Sequence, residues 1–383
     1  MKRIYMDHSA TTAVRAEVLA AMLPYFCEEY GNASSVHSFG QRAGKALEDA
    51  RATVAACIGA SPEEIIFTSG GTESNNLAIK GILRAAGRKG RHVITSAVEH
   101  PAVLNVCEEL KDDGIDVTVL PVDKDARVSV EALEAAFRPD TALVSIMAAN
   151  NEVGTIEPLA ELAHAAAEAR VPFHTDAVQA AGKIPMRVDD LGVDLMSFSA
   201  HKFYGPKGVG ALYIRRRTRI KGVQAGGHHE RGLRAGTENV AGIVGMARAL
   251  ELACAEMDVQ GPRLRALRDK LQVGLLASVS DSKLNGHLTE RLPHLLNIAF
   301  SNAEGEAVLF ALDALGVAIS TGSACSSGTL EPSHVLTAMG ISPEIAHGSL
   351  RISLGRDNTE ADVDFVLAEL PKIIERFRQM SPM

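Results

Sequence analysis

VPFHTDAVQAAGKIPMRVDDLGVDLMSFSAHK (171–202) holds two short apolar runs, VPFHTDAVQ (171–179) and DLMSFSAHK (194–202), each of which stops in polar and charged residues. Apolar runs of this length with polar ends read as strands buried on both faces. HVITSAVEH (92–100) and ALVSIMAANNE (142–152) repeat the pattern. Elsewhere Leu47 to Ile58 and Asn75 to Ala86 carry helical periodicity, and Glu64 to Thr68 reads as another strand. Strands that alternate with helices predict an α/β fold around a parallel sheet. In open sheets of this kind ligands bind at the carboxyl edge of the strands. That edge collects His100, Asn151, Asp176, Gln179, Ser199, His201 and Lys202.

A chain of 383 residues, 46% hydrophobic and 22% charged, can bury one large domain and a smaller one. The helical stretch after Leu250 runs into Gly261-Pro262, beyond which shorter elements are expected, so a domain boundary is placed near 255–262. The expected division is a large domain over 15–257, with 1–14 and 258–383 forming the smaller one. A net charge of −8 argues against a nucleic-acid partner, and the basic run from Arg215 to Lys221 reads as a solvated loop or strand end, with a local patch for an anionic partner as the alternative. No apolar run is long enough for a signal peptide core or a membrane span. The five cysteines contain no Cys-x-x-Cys pair, which fits neither a disulfide framework nor a zinc site and suggests a reducing cytoplasm.

Several residues carry recognisable chemistry. Lys202, directly after a strand and before the glycine-rich FYGPKGVG, can form a Schiff base. Asp176 closes the neighbouring strand, where a carboxylate can pair with a protonated pyridine nitrogen and keep pyridoxal phosphate an effective electron sink. Gln179, three residues on, can reach a ring hydroxyl. FTSGGTESNNLAIKG (67–81) sets Gly70-Gly71-Thr72 between a strand and a helix expected to begin at Glu73-Ser74. Backbone N–H groups there suit a single phosphate, and no Walker lysine follows. His100 can stack on a planar ring and move protons near neutral pH. Cys325 lies among small residues in STGSACSSGTLEPSHVL (320–336), and Arg351 in GSLRISLGRDN can bind a carboxylate bidentately. Read singly, each has a plain alternative: a solvated lysine, Asp176 or Thr72 as a helix cap, an incidental loop thiol, a surface ion pair for Arg351.

Together the motifs MDHSATT, YGNASSVHSFG, TSGGTESNN, VEHPAV, NNEVGTIEP, HTDAVQAAGK, SAHKFYGPKGVG, RAGTENV, GSACSSGTLEPSHVL and SLRISLG run in order along the whole chain. In this the chain resembles the pyridoxal-phosphate cysteine desulfurases of the NifS/IscS kind, in the class-V aminotransferase family. The resemblance implies the type I transferase fold, with a mostly parallel seven-stranded sheet and a smaller α/β C-terminal domain. It implies Lys202 as the lysine that carries pyridoxal 5'-phosphate, Asp176 at the pyridine nitrogen, Gln179 at the ring oxygen and His100 over the ring. Gly71, Thr72, Ser199 and His201 would hold the phosphate, with Thr237 supplied by the other subunit of a homodimer. Asn151, also beside the cofactor, and Arg351 would hold the substrate carboxylate.

The reaction implied is the conversion of L-cysteine to L-alanine, with Cys325, Lys202 and His100 as catalytic residues and a persulfide left on Cys325. The loop of about 320–336 is long, as in the NifS/IscS branch, and is expected to be mobile. That favours direct handover to an iron–sulfur scaffold or another sulfur-acceptor protein, with a cluster bridged by Cys325 as one form of the contact. A selenocysteine lyase, or another lyase or aminotransferase of the same fold, is the alternative activity.

Overall fold

The computed structural model describes residues 3–321 and 332–380; Cys325 and most of the 320–336 loop therefore lie outside the described residues. In chain order the strands are β1 (Ile4–Tyr5), β2 (Ile65–Thr68), β3 (His92–Ser96), β4 (Asp116–Leu120), β5 (Thr141–Ser145), β6 (Phe173–Asp176) and β7 (Leu195–Ser199). They continue with β8 (Gly210–Ile214), β9 (Ser282–Leu284), β10 (Leu295–Phe300), β11 (Val317–Ala318), β12 (Ser320–Thr321) and β13 (Ser349–Ser353).

Seven of these form one sheet in the order β2-β8-β7-β6-β5-β3-β4. β8 runs antiparallel to both neighbours, and the other adjacent pairs are parallel. Every residue of β3, β6 and β7 is buried, because helices cover both faces; this is why their sequences show no strict polar–apolar alternation, and the buried polar His174 of β6 bonds to Ser145 and Ser197 on the neighbouring strands. The crossovers bring the carboxyl ends of β2, β3, β5, β6 and β7 to one edge.

A second, antiparallel sheet runs β12-β13-β10-β9, and β1 pairs in parallel with β11. Its own core joins Leu296, Ile298, Leu350 and Ile352 to Val363, Val366 and Leu370 of the C-terminal helix Glu360–Met380.

One helix, Val240–Ser278, serves both cores. Ile243, Met246 and Leu250 pack in the large core, and Leu271 and Leu275 in the smaller one. The helix passes through Gly261-Pro262, where the sequence suggested a change to shorter elements. A proline inside a helix costs about 3 kcal/mol. Burial at both ends of this helix outweighs that local cost, an effect no local pattern displays.

The basic segment begins directly after β8. Arg215 bonds to the Val188 and Val193 carbonyls and pairs with Asp189 at 3.1 Å. Farther along, Glu230 pairs with Arg51 at 2.8 Å and accepts from the Phe67 N–H, which ties the turn before RAGTEN to β2. No helix among the described residues is long and apolar enough to cross a membrane.

Candidate active site

The carboxyl edge of the large sheet opens on a cavity of about 200 Å³ lined by Gly71, Thr72, His100, Asn151, Asp176, Gln179, Ser199, His201 and Lys202. These sequence-selected residues come from the ends of four strands and the start of one helix. The fold thus brings them together although they span 131 positions from Gly71 to Lys202.

Lys202 sits in a 3₁₀ turn (Ala200–Lys202) directly after β7. Its Nζ donates to the carbonyls of Ser9 at 2.6 Å and Ala10 at 2.8 Å. The N-terminal segment thereby aims the amine, and Thr12 Oγ1 fastens that segment to the His201 carbonyl at 2.9 Å.

Asp176 ends β6, buried to 6% exposure. One carboxylate oxygen accepts the Val178 N–H at 2.9 Å and the other accepts Asn75 Nδ2 at 2.7 Å. Capping its own turn and facing a ligand are therefore compatible roles for Asp176. Gln179 donates to the Ser9 carbonyl at 2.9 Å and accepts from Lys183 at 3.4 Å.

The glycine loop enters its helix at Gly71, two residues earlier than expected, with Gly70 as the cap. A Cβ at position 71 would lie 2.6 Å from Val178 Cγ2. Glycine at position 71 lets the helix N-terminus come against the turn that follows Asp176, placing positive dipole and free N–H groups in the cavity.

His100 caps the helix Pro101–Asp112, its Nδ1 accepting the Ala102 N–H at 3.0 Å. Nδ1 is thus the unprotonated nitrogen of the neutral ring, and Nε2 carries the proton. Burial, the largest influence, lowers the His100 pKa below 6.5; Asp176 opposes this, and Lys202 and His334 add to it. His201, hydrogen-bonded through Nδ1 to Thr11 Oγ1 at 3.0 Å, is lowered to about 4, chiefly by burial.

Arg351 lies on β13 and is not among the residues that line the cavity. It donates to the Asn151 carbonyl at 3.1 Å and pairs with Asp7 at 3.0 Å. Thr237 is exposed and does not line this cavity.

A carboxylate, a helix N-terminus with Ser199 and His201, and a lysine amine on one cavity are the groups that pyridoxal 5'-phosphate requires. The buried Asn75 Oδ1 has no hydrogen-bond partner among the described residues. Asn75, Asp7, Thr11 and the Ser9 and Ala10 carbonyls were not singled out from the sequence. They fall inside the quoted motifs TSGGTESNN and MDHSATT, yet a motif does not say which atom meets which.

Residues 4–366 match the family described as aminotransferase class-V. The cysteine desulfurase IscS of Dictyoglomus turgidum is 54% identical over 383 residues, covering 100% of this chain and 97% of that protein. The cysteine desulfurase IscS of Methanosarcina thermophila is 53% identical, covering 100% and 94%. A solved NifS-like protein superposes with a TM-score of 0.92 at 42% identity, covering 98% of this chain and 100% of the other. The structure of SspA in complex with cysteine follows at a TM-score of 0.82 and 37% identity, covering 92% and 99%.

Proposed function

The chain belongs to the aminotransferase class-V family, and from that premise we propose its reaction: it acts as a pyridoxal 5'-phosphate-dependent cysteine desulfurase that converts L-cysteine to L-alanine and keeps the sulfur as a persulfide. The observation that carries this reading is the convergence of Lys202, Asp176 and the Gly71–Thr72 helix start on one cavity.

The cofactor, when bound, supplies an electron sink for the pair left on the substrate Cα. Asp176 would hold its pyridine nitrogen, Gln179 its ring oxygen, His100 its face, and Gly71, Thr72, Ser199 and His201 its phosphate. Lys202 Nζ, aimed by the Ser9 and Ala10 carbonyls, moves the proton at the substrate Cα. His100, neutral and with Nδ1 occupied by the Ala102 N–H, presents its Nε2–H to the reacting centre as a hydrogen-bond donor, and it transfers a proton there only from the imidazolium form. Arg351 and Asn151 hold the substrate carboxylate. Cys325 as thiolate attacks the substrate sulfur; an S–S bond forms, the C–S bond breaks, and its electron pair stays on carbon, which is protonated to give alanine.

Residues 15–257 form the cofactor-holding domain in this reading, and 1–14 with 258–383 the second. The protein works as a homodimer in the cytoplasm, with Thr237 completing the partner's phosphate site. Thr237 is exposed, and Leu19 (49%), Leu23 (57%), Phe26 (57%), Tyr30 (65%) and Val36 (89%) expose much apolar surface within one short stretch, as a face covered by a second copy would. The persulfide passes from Cys325 to an iron–sulfur scaffold or a comparable acceptor.

The test is to incubate the cofactor-loaded protein with L-cysteine and a thiol reductant and to quantify alanine and sulfide together. Equal amounts from the wild type, both lost in Cys325→Ala, are expected. Persistence of both products in the variant, or pyruvate in place of alanine, overturns the persulfide route.

A further inference from the structure

The guanidinium of Arg351 is a buried charge, with only 2% of the residue exposed. A buried cation without an anion is costly, so a site that stands ready for a carboxylate must satisfy that charge while it is empty. Two of its nitrogens are engaged. Nη1 meets a neutral group, the Asn151 carbonyl, at 3.1 Å, and Nη2 meets Asp7 Oδ1 at 3.0 Å. The third, Nε, is buried and has no hydrogen-bond partner among the described residues. Asp7 reaches Arg351 from the segment after β1, which bridges to β13 at Ser353.

We propose that Asp7 is a positioning residue, the resident counter-ion of Arg351, which yields the guanidinium to the substrate α-carboxylate and so sets the affinity of the site for amino acids with a free carboxyl group. The inference rests on the reading that Arg351 holds that carboxylate. The resident contact is single-pointed, one Asp7 oxygen on one nitrogen, and it leaves Nε unused. An incoming carboxylate can take two parallel N–H donors, which is the stronger arrangement. Once it is seated, Asp7 is a second anion beside the same cation and opposes binding. Removing its charge therefore strengthens carboxylate binding and deprives ligands without a carboxylate of a satisfied Arg351. Burial raises the pKa of Asp7 while Arg351 and then Lys202 lower it.

The experiment measures kcat and KM for L-cysteine with the cofactor-loaded full chain, together with the dissociation constants of L-alanine and of cysteamine, which lacks the carboxylate. The variants are Asp7→Asn, Asp7→Glu and Arg351→Gln. Asp7→Asn is expected to lower KM and the L-alanine dissociation constant on the order of tenfold, equivalent to about 1.4 kcal/mol, and to weaken cysteamine. Asp7→Glu should restore wild-type values. A merely structural Asp7 would lower thermal stability and kcat without lowering KM. An unchanged or raised KM in Asp7→Asn, with KM raised by Arg351→Gln, overturns the role of Asp7 and leaves the carboxylate reading standing. An Arg351→Gln protein with wild-type KM overturns the carboxylate reading and the inference with it. Should Asp7→Asn not fold, Asp7→Ser carries the same expectation; failure of both to fold while Arg351→Gln folds makes the pair structural and overturns the proposal.

Discussion

Replacing Asn75 with alanine removes the amide that donates to Asp176 at 2.7 Å and leaves that buried carboxylate with the Val178 N–H as its remaining hydrogen bond among those described. A hydrogen bond to a charged acceptor contributes about 1.5–3 kcal/mol. With Asp176 placed at the cofactor's pyridine nitrogen as proposed, that energy holds the carboxylate in orientation, so its loss should weaken cofactor binding about 10-fold to 100-fold, at ~1.4 kcal/mol per factor of ten. Global stability should change much less. Asn75 is 1% exposed and its Oδ1 has no partner among the described residues, so truncation also removes a buried acceptor left unsatisfied there. The measurement is the cofactor dissociation constant, from absorbance titration of the stripped protein, alongside a thermal melt in the absence of cofactor. Asn75→Asp sets a second carboxylate against Asp176 and should be worse than alanine, because two like charges so close cannot both stay ionised. A folded Asn75→Ala protein that binds cofactor within about threefold of wild type would refute the reasoning.

Burial raises the Glu99 pKa from its ordinary 4.5 to about 8, opposed by its hydrogen bonds from Ser96 and the Met147 N–H. The folded state keeps a proton that the unfolded chain releases above about pH 4.5. The stability this group contributes is therefore complete below that pH and is lost as the pH rises through about 8. Glu99→Gln should flatten the decline between pH 5 and 8 in urea melts, and a slope identical to wild type would contradict the assignment. At the exposed apolar stretch, Phe26→Lys with Tyr30→Lys should yield a monomer by sedimentation velocity that keeps its far-UV spectrum and loses most desulfurase activity, since Thr237 would no longer reach a partner. A fully active monomer would remove the shared site.

Much of the cofactor cavity was legible because strand ends are marked locally. Asp176, Ser199 and Lys202 close or directly follow apolar runs, and a parallel sheet sends such ends to one edge whatever the details of packing. The Gly70-Gly71 turn was legible for a similar reason, although backbone dihedrals alone decide that the helix starts at Gly71 and not at Glu73.

Tertiary structure decided what depends on distant pairs. The sequence by itself determined the α/β class, through periodicity, and the side-chain groups available at the strand ends, while the cofactor chemistry followed from the resemblance that its motifs carry. It could not determine that Asn75 would meet Asp176 across 101 positions, that Asp7 would neutralise Arg351 across 344, or that the N-terminal carbonyls would aim Lys202. Nor did it show that a single helix would continue through Pro262 to join both cores. Each of these is a contest between a local preference and burial of groups brought together only by the completed fold, and burial decides it.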